Sequence, residues 1–184
     1  MKQLYLGKMS KKIQTSRRLS YLLRHNPDDL VMDKEGWVLI SDLLLKLNIT
    51  FDLLDDIIVN NDKKRFAYNG NKTKIRASQG HSHKLKIDIK FDEVQFPKTY
   101  YHGTALMNVD SIMAHGLSPK NRTHVHLSQN IETAKQVGSR HSIKVVVLAI
   151  DGNQMKRDGL KLYKSENNVF LVDYVPYKYI TILN

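Results

Sequence analysis

Between Ser10 and His25 the apolar residues Ile13, Leu19, Leu22 and Leu23 recur at a spacing that lines one side of a helix. Thr15 or Ser16 is placed to cap its main part, and Asn26-Pro27 stops it. Next comes "DKEGWVLISDLLLKL". It predicts a turn at Gly36, a short strand from Trp37 to Ile40, and a helix from a Ser41 cap to about Leu47. "TFDLLDDIIVNN" predicts a third helix capped by Thr50. Arg65 to Tyr68 and Lys74 to Ala77 then alternate as two strands around an Asn-Gly turn at Asn69-Gly70.

Residues 85–98 read as a connector or edge strand ending at Pro97, and beyond it the pattern changes. Strands are predicted at "TYYHGT", "HVHLS", "KVVVLAI", Leu160–Tyr163, "NVFLVDYV" and "YITIL", with helices over 106–115 and 130–138. The expected fold class is α+β, with a helical lobe over 1–96 and a mostly β lobe over 97–184. Three helices followed by a hairpin is the order of a winged helix, so a DNA-binding regulator is one reading of the first lobe. Against it, the third helix carries Asp52, Asp55 and Asp56, which repel phosphate.

Composition narrows the partners. Lysine and arginine total 29 against 18 acidic residues, a net charge of +11. A polyanion suits that balance, and nucleic acid suits it better than a membrane, since no lipid-facing amphipathic helix stands out. No apolar run approaches the roughly 20 residues of a membrane span, and "MKQLYLGKMSKK" lacks the apolar core of a signal peptide. There is no cysteine, which removes thiolate chemistry and is compatible with the cytoplasm. A monomer is the default expectation.

Several short stretches could carry chemistry. "LRH" sets a bidentate anion donor, Arg24, beside a proton carrier, His25. "DKKRF" brings Arg65 to the start of a strand. "IRASQGHSH" offers a glycine loop with His81 and His83. In "YHGT", Gly103 after His102 allows a ligand to approach the backbone closely. "GLSPKNRTHVHLS" carries Arg122, with His124 and His126 on one face of a strand. The two H-x-H pairs could in principle supply zinc, but no H-E-x-x-H and no interleaved carboxylate accompany them, and no metal is expected. Walker and dinucleotide-fold glycine motifs are absent.

Taken in order, "SRRLSYLLRHNP", "DKEGW", "DKKRF", "IRASQGHS", "YHGT", "GLSP", "RTHVHLS", "VGSRH" and "VFLVDYVP" resemble the NAD-dependent RNA 2′-phosphotransferases, the KptA family, from about Ser16 to Ile180. The resemblance implies a winged-helix lobe and an ADP-ribosyltransferase-like lobe. It implies an RNA substrate, tRNA-like, with an internal 2′-phosphate, and NAD consumed as co-substrate. The phosphate would attack the nicotinamide ribose, giving an ADP-ribosylated RNA 2′-phosphate. The products would be nicotinamide, 2′-OH RNA and ADP-ribose 1″,2″-cyclic phosphate, as in tRNA splicing.

The family's catalytic group falls on Arg24, His25, Arg65 and Arg122. His102 would contact the adenosine ribose and His126 would lie near nicotinamide. Tyr101, Gly103, Thr104, Gly116, Leu117, Leu127 and Ser128 would line the cofactor pocket. Arg140 would reach the pyrophosphate or RNA. The position where many such transferases carry glutamate falls near Val169 or Phe170, and Glu166 reads as a loop residue. A related reading keeps the same site but stops at ADP-ribosylation of terminal phosphates on RNA or DNA.

Overall fold

The computed structural model describes residues 2–96, 99–140 and 143–183, with side chains from residue 11 onward. Pro97, where the sequence pattern breaks, and His141 of "VGSRH" lie outside the described residues. The chain forms two compact units, residues 1–90 and 91–184, each with its own apolar core. Its class is α+β, with antiparallel sheets in both units.

In the first unit, helix α1 runs Lys2–Arg24. It begins well before Ser10, so Thr15 and Ser16 lie inside it rather than capping it. The upstream Gln, Leu, Lys and Met residues are good helix formers and give the helix no reason to start late. Its end is where Pro27 demands. The amides of His25 and Asn26 both donate to the Tyr21 carbonyl, at 2.9 and 3.2 Å, and Asp28 takes a left-handed φ of 61°. Gly36 turns the chain at φ 82°, and the Asp33 carboxylate accepts from the amides of Glu35 and Trp37 at 3.0 and 2.9 Å.

Strand β1 is only Val38–Leu39, and α2 follows at once as Ile40–Leu47. Ser41 is therefore within the first turn and is not the cap. Leu39 occupies the cap position without a side-chain bond. The Ile40 amide is satisfied instead by the Thr73 carbonyl, at 2.9 Å. Helix α3, Phe51–Val59, is capped as predicted, with Thr50 Oγ1 accepting from the Leu53 amide. Its acidic face is partly neutralised, because Asp56 pairs with Lys12 and Asp55 with Lys72.

Strands β2 (Phe66–Tyr68) and β3 (Lys74–Ala77) join β1 in the order β1-β3-β2, with Val38 opposite Ile75 and Phe66 opposite Ala77. The connection spans 69–73 rather than two residues. The Asn69 side chain closes it by accepting from the amides of Thr73 and Lys74 at 2.9 and 2.8 Å. Leu19, Leu22, Leu23, Leu43, Leu54 and Ile75 form the heart of the core.

The second unit begins with β4 (Asp92–Glu93), which pairs with β8 (Tyr163–Lys164). Strand β5 (Thr99–Ala105) lies against β7 (Val145–Asp151), and β10 (Ile180–Leu183) completes that sheet in the order β10-β7-β5. The other sheet runs β4-β8-β9-β6, with β6 at Val125–Leu127 and β9 at Phe170–Val172. Tyr101 and Ser128 exchange two backbone hydrogen bonds of 2.8 Å, which tie β5 to the end of β6.

Helix α4 is Val109–His115, entered through a 3₁₀ turn at 106–108. Helix α5 is Ile131–Gly138, capped by Asn130. The sequence pattern misses helix α6, Gly152–Arg157, capped by Asp151. Of its six residues only Met155 is a buried apolar one, too few to show a period. The predicted strand at Leu160–Tyr163 shrinks to Tyr163–Lys164, because Gly159 (φ 77°) and Leu160 wrap back on α6, with the Leu160 amide donating to Met155.

Helix α5 sits directly on β5. A Cβ at Gly103 would fall 2.6 Å from the Ala134 carbonyl carbon, and one at Gly138 would fall 2.9 Å from Gly103. The close approach that Gly103 permits is thus that of a helix backbone. Gly103→Ala is expected to lower the unfolding free energy by about 1–3 kcal/mol, measured by urea denaturation. Gly70→Ala, which meets nothing within 4 Å, should stay within about 0.5 kcal/mol.

Candidate functional site

In the first unit the site is built around a buried loop. Ser78, Gln79, His81 and Ser82, which follow β3, are each less than a tenth exposed. The loop grips two other segments through the backbone. The Ser82 amide donates to the Arg24 carbonyl at 2.7 Å, and the Ser78 amide to the Arg65 carbonyl at 2.9 Å. The Ser78 hydroxyl also reaches the Lys64 carbonyl at 3.0 Å. The end of α1 and the entry to β2, which carry Arg24, His25 and Arg65, are therefore fixed to one scaffold.

Arg76 leaves the same sheet from β3. Its guanidinium lies 4.3 Å from the Trp37 ring centre and 3.8 Å from a Glu35 carboxylate oxygen. His81 is 2% exposed, and Gln79 Oε1 and His81 Nε2 are buried without hydrogen-bond partners among the described residues. Burial first, then the charges of Arg24, Arg76 and His25, push His81 down to about 4. Three cationic or cation-capable side chains thus surround a ring that stays neutral.

In the second unit a polar chain runs from β5 to the loop before β6. His102 Nδ1 donates to the His126 carbonyl at 3.0 Å. Burial lowers the His102 pKa, and that hydrogen bond partly offsets it. Arg122 donates to His126 Nδ1 at 3.2 Å, so the neutral His126 ring carries its proton on Nε2. The Arg122 residue is exposed as a whole. Desolvation first and the Arg140 charge second lower its pKa. The His126 Nε2–H and the remaining guanidinium N–H groups are donors and the His102 Nε2 is an acceptor, a mixed set suited to ribose hydroxyls and phosphate oxygens. Among the described residues no group of three His, Asp or Glu side chains could hold a metal ion.

A profile of the RNA 2′-phosphotransferase, Tpt1 / KptA family matches residues 10–174. The chain belongs to this family. It is 43% identical over 179 residues to a "Probable RNA 2′-phosphotransferase" of Fusobacterium nucleatum, covering 94% of this chain and 99% of that protein. Proteins of the same name in Flavobacterium johnsoniae and Pseudomonas fluorescens are 45% and 43% identical, over 90% and 95% of this chain and 93% and 100% of their own lengths.

Within this Tpt1 / KptA chain the predicted residues fall into distinct settings. Arg24 and Arg65 are half-buried and His25 is exposed, all three anchored next to the buried loop. Tyr101, His102, His126 and Ser128 are half-buried on adjoining strands, and Arg140 is exposed. Thr104, Gly116, Leu117 and Leu127 are buried. The Thr104 hydroxyl accepts from Asn108 at 3.3 Å, and Leu117 and Leu127 belong to the core. Gly116, at φ 76°, faces Tyr174, whose hydroxyl donates to the His115 carbonyl.

His124 takes a different partner from His126. It lies 3.5 Å from Asp173 and edge-on to Phe91 and Tyr163. Phe170 is committed to the core against Tyr100, with ring centres 5.2 Å apart, and Glu166 lies in a turn. Sequence reasoning missed Arg76. Its signal was available, since it alternates with the apolar Ile75 and Ala77 on β3 and opens the stretch that ends at His81.

His81 makes stability pH-dependent. Its folded pKa, about 4, lies below the unfolded value of 6.5. The unfolded state therefore binds more protons, and stability present above pH 6.5 is lost as pH falls toward 4. Urea unfolding at pH 7 and pH 4.5 should show His81→Gln losing less stability on acidification than wild type, by roughly 2–3 kcal/mol.

Proposed function

We propose that this protein removes an internal 2′-phosphate from RNA by transferring it to NAD, as a tRNA-splicing type 2′-phosphotransferase. The first unit would be a winged-helix phosphate-binding lobe and the second an ADP-ribosyltransferase-like lobe. The observation that carries the reading is the buried loop that holds Arg24, His25 and Arg65 together, in a chain that belongs to the Tpt1 / KptA family. A phosphate monoester carries a charge of about −1.5 to −2 at pH 7, and clustered guanidiniums are its natural partners.

NAD, when bound, supplies an electrophilic ribose carbon and the neighbouring hydroxyl that finally takes the phosphoryl group. The RNA 2′-phosphate is already deprotonated, so the first displacement needs orientation more than a base. Arg24, His25 and Arg65 provide that orientation. His102 and His126, locked by the hydrogen bonds of the Arg122–His126–His102 chain, would hold the ribose side. In the second displacement the bond from phosphorus to the RNA O2′ breaks. Arg24 and Arg65 would stabilise the charge that gathers on the phosphoryl oxygens, and His25 would give a proton to the departing O2′.

The test uses a short RNA with one labelled internal 2′-phosphate, incubated with and without NAD. Wild type should move the label to an ADP-ribose cyclic phosphate only when NAD is present. Arg24→Ala should slow transfer at least about 100-fold, and Arg122→Ala should leave label on RNA that has gained the mass of ADP-ribose. Absence of NAD-dependent transfer by wild type would overturn the reading. Stable ADP-ribosylation of a terminal phosphate instead would redirect it to the related activity.

A further inference from the structure

One face of α1 points away from the core of its unit. Lys11, Gln14, Arg18, Tyr21 and His25 follow each other at alternating steps of three and four residues, and all five are exposed. At 100° per residue they occupy an arc of about 80°, and from Lys11 to His25 they run for about 21 Å. Leu19 and Leu23 are buried in the core of the unit. From Lys2 to Arg24 the helix has no acidic residue. Lys12, off this stripe, pairs with Asp56. Lys11 and Arg18 make no ion pair among the described residues. At the end of the stripe Tyr21, 54% exposed, stands with its ring centre 6.0 Å from that of His25, tilted by 46°.

We propose that this face is a track for the single-stranded RNA flanking the modified nucleotide, with a base stacked on Tyr21 and backbone phosphates held by Arg18 and Lys11. That the track leads to the 2′-phosphate rests on the function proposed above. That it binds an RNA strand does not. The charge is complementary to a polyanion, and nothing acidic interrupts it. An exposed aromatic ring among cations is the arrangement that stacks unpaired bases without regard to sequence. A duplex offers no free base face to such a ring.

The experiment measures binding of a fluorescent ten-nucleotide single-stranded RNA without a 2′-phosphate and without NAD, by anisotropy across a salt series. Wild type should bind with a salt slope that falls by about 1.4 in Lys11→Glu/Arg18→Glu, two phosphate contacts at about 0.7 each. Tyr21→Ala should weaken binding about fivefold or more, with Tyr21→Phe restoring it. Unchanged slope and affinity in both variants would overturn the track. So would an equal loss on a duplex of the same length, which would show a merely electrostatic face.

In the transfer assay, the double variant should raise KM for a 2′-phosphorylated ten-mer about tenfold more than KM for a 2′-phosphorylated dinucleotide. If wild type transfers no phosphate from either substrate, the function fails while the anisotropy result still decides the track.

Discussion

The backbone bond from the Ser82 amide to the Arg24 carbonyl is the constraint on which the first unit's chemistry depends. A helix end is a poor platform, because its last carbonyls lack partners inside the helix. Here the end of α1 borrows a donor from a loop that is itself buried, and the same loop takes the Arg65 carbonyl through Ser78. Guanidiniums carried by separate elements are thereby given one frame. Their mutual repulsion opposes that arrangement. His81 shows how the fold manages it, since a buried ring kept neutral adds no further charge where Arg24, Arg76 and His25 converge.

The second unit solves a related problem with different means. His102 is aimed by a carbonyl of the neighbouring strand, and the ring of that carbonyl's own residue is aimed by Arg122. Each partner fixes the tautomer or rotamer of the next, so the chain of contacts presents an acceptor at His102 Nε2 and a donor at His126 Nε2 without a carboxylate to orient them. Tyr101 and Ser128 keep the two strands in register at that point.

Local chemistry was readable where one residue decides the outcome. Thr50 caps its helix because it lies just before an amphipathic run, and Asn26-Pro27 ends α1 by removing a donor. Ser41 looked equally suited to its task. It failed because β1 runs into α2 without a gap and a carbonyl from Thr73 already meets the first amide. Helix α6 left no period to see. Arg24, His25 and Arg65 in the first unit and Arg122 in the second stand out in the sequence as side chains able to bind an anion or carry a proton. The neutral state of His81 was not legible, because its burial depends on α1, the Gly36 turn and β3 arriving together. Gly103 was visible as an unusual residue, but the space it leaves was read as a ligand's and is taken by the backbone of α5, a packing partner that no local pattern reveals.

That last feature bears on how the protein tolerates inherited change. Strand β5 carries His102, and α5 rests on the next residue with no side chain between the two backbones. A displacement of α5 is then transmitted to His102 without any compliant layer to absorb it. In a genetic screen for loss of activity, the inward row Ala134 and Gly138 would stand out as sharply as a catalytic position, although neither needs to touch a substrate. The outward row, Glu132, Lys135 and Gln136, would drift freely in the same helix. Invariance along α5 would thus record a mechanical coupling, and should not be read as a map of ligand contacts.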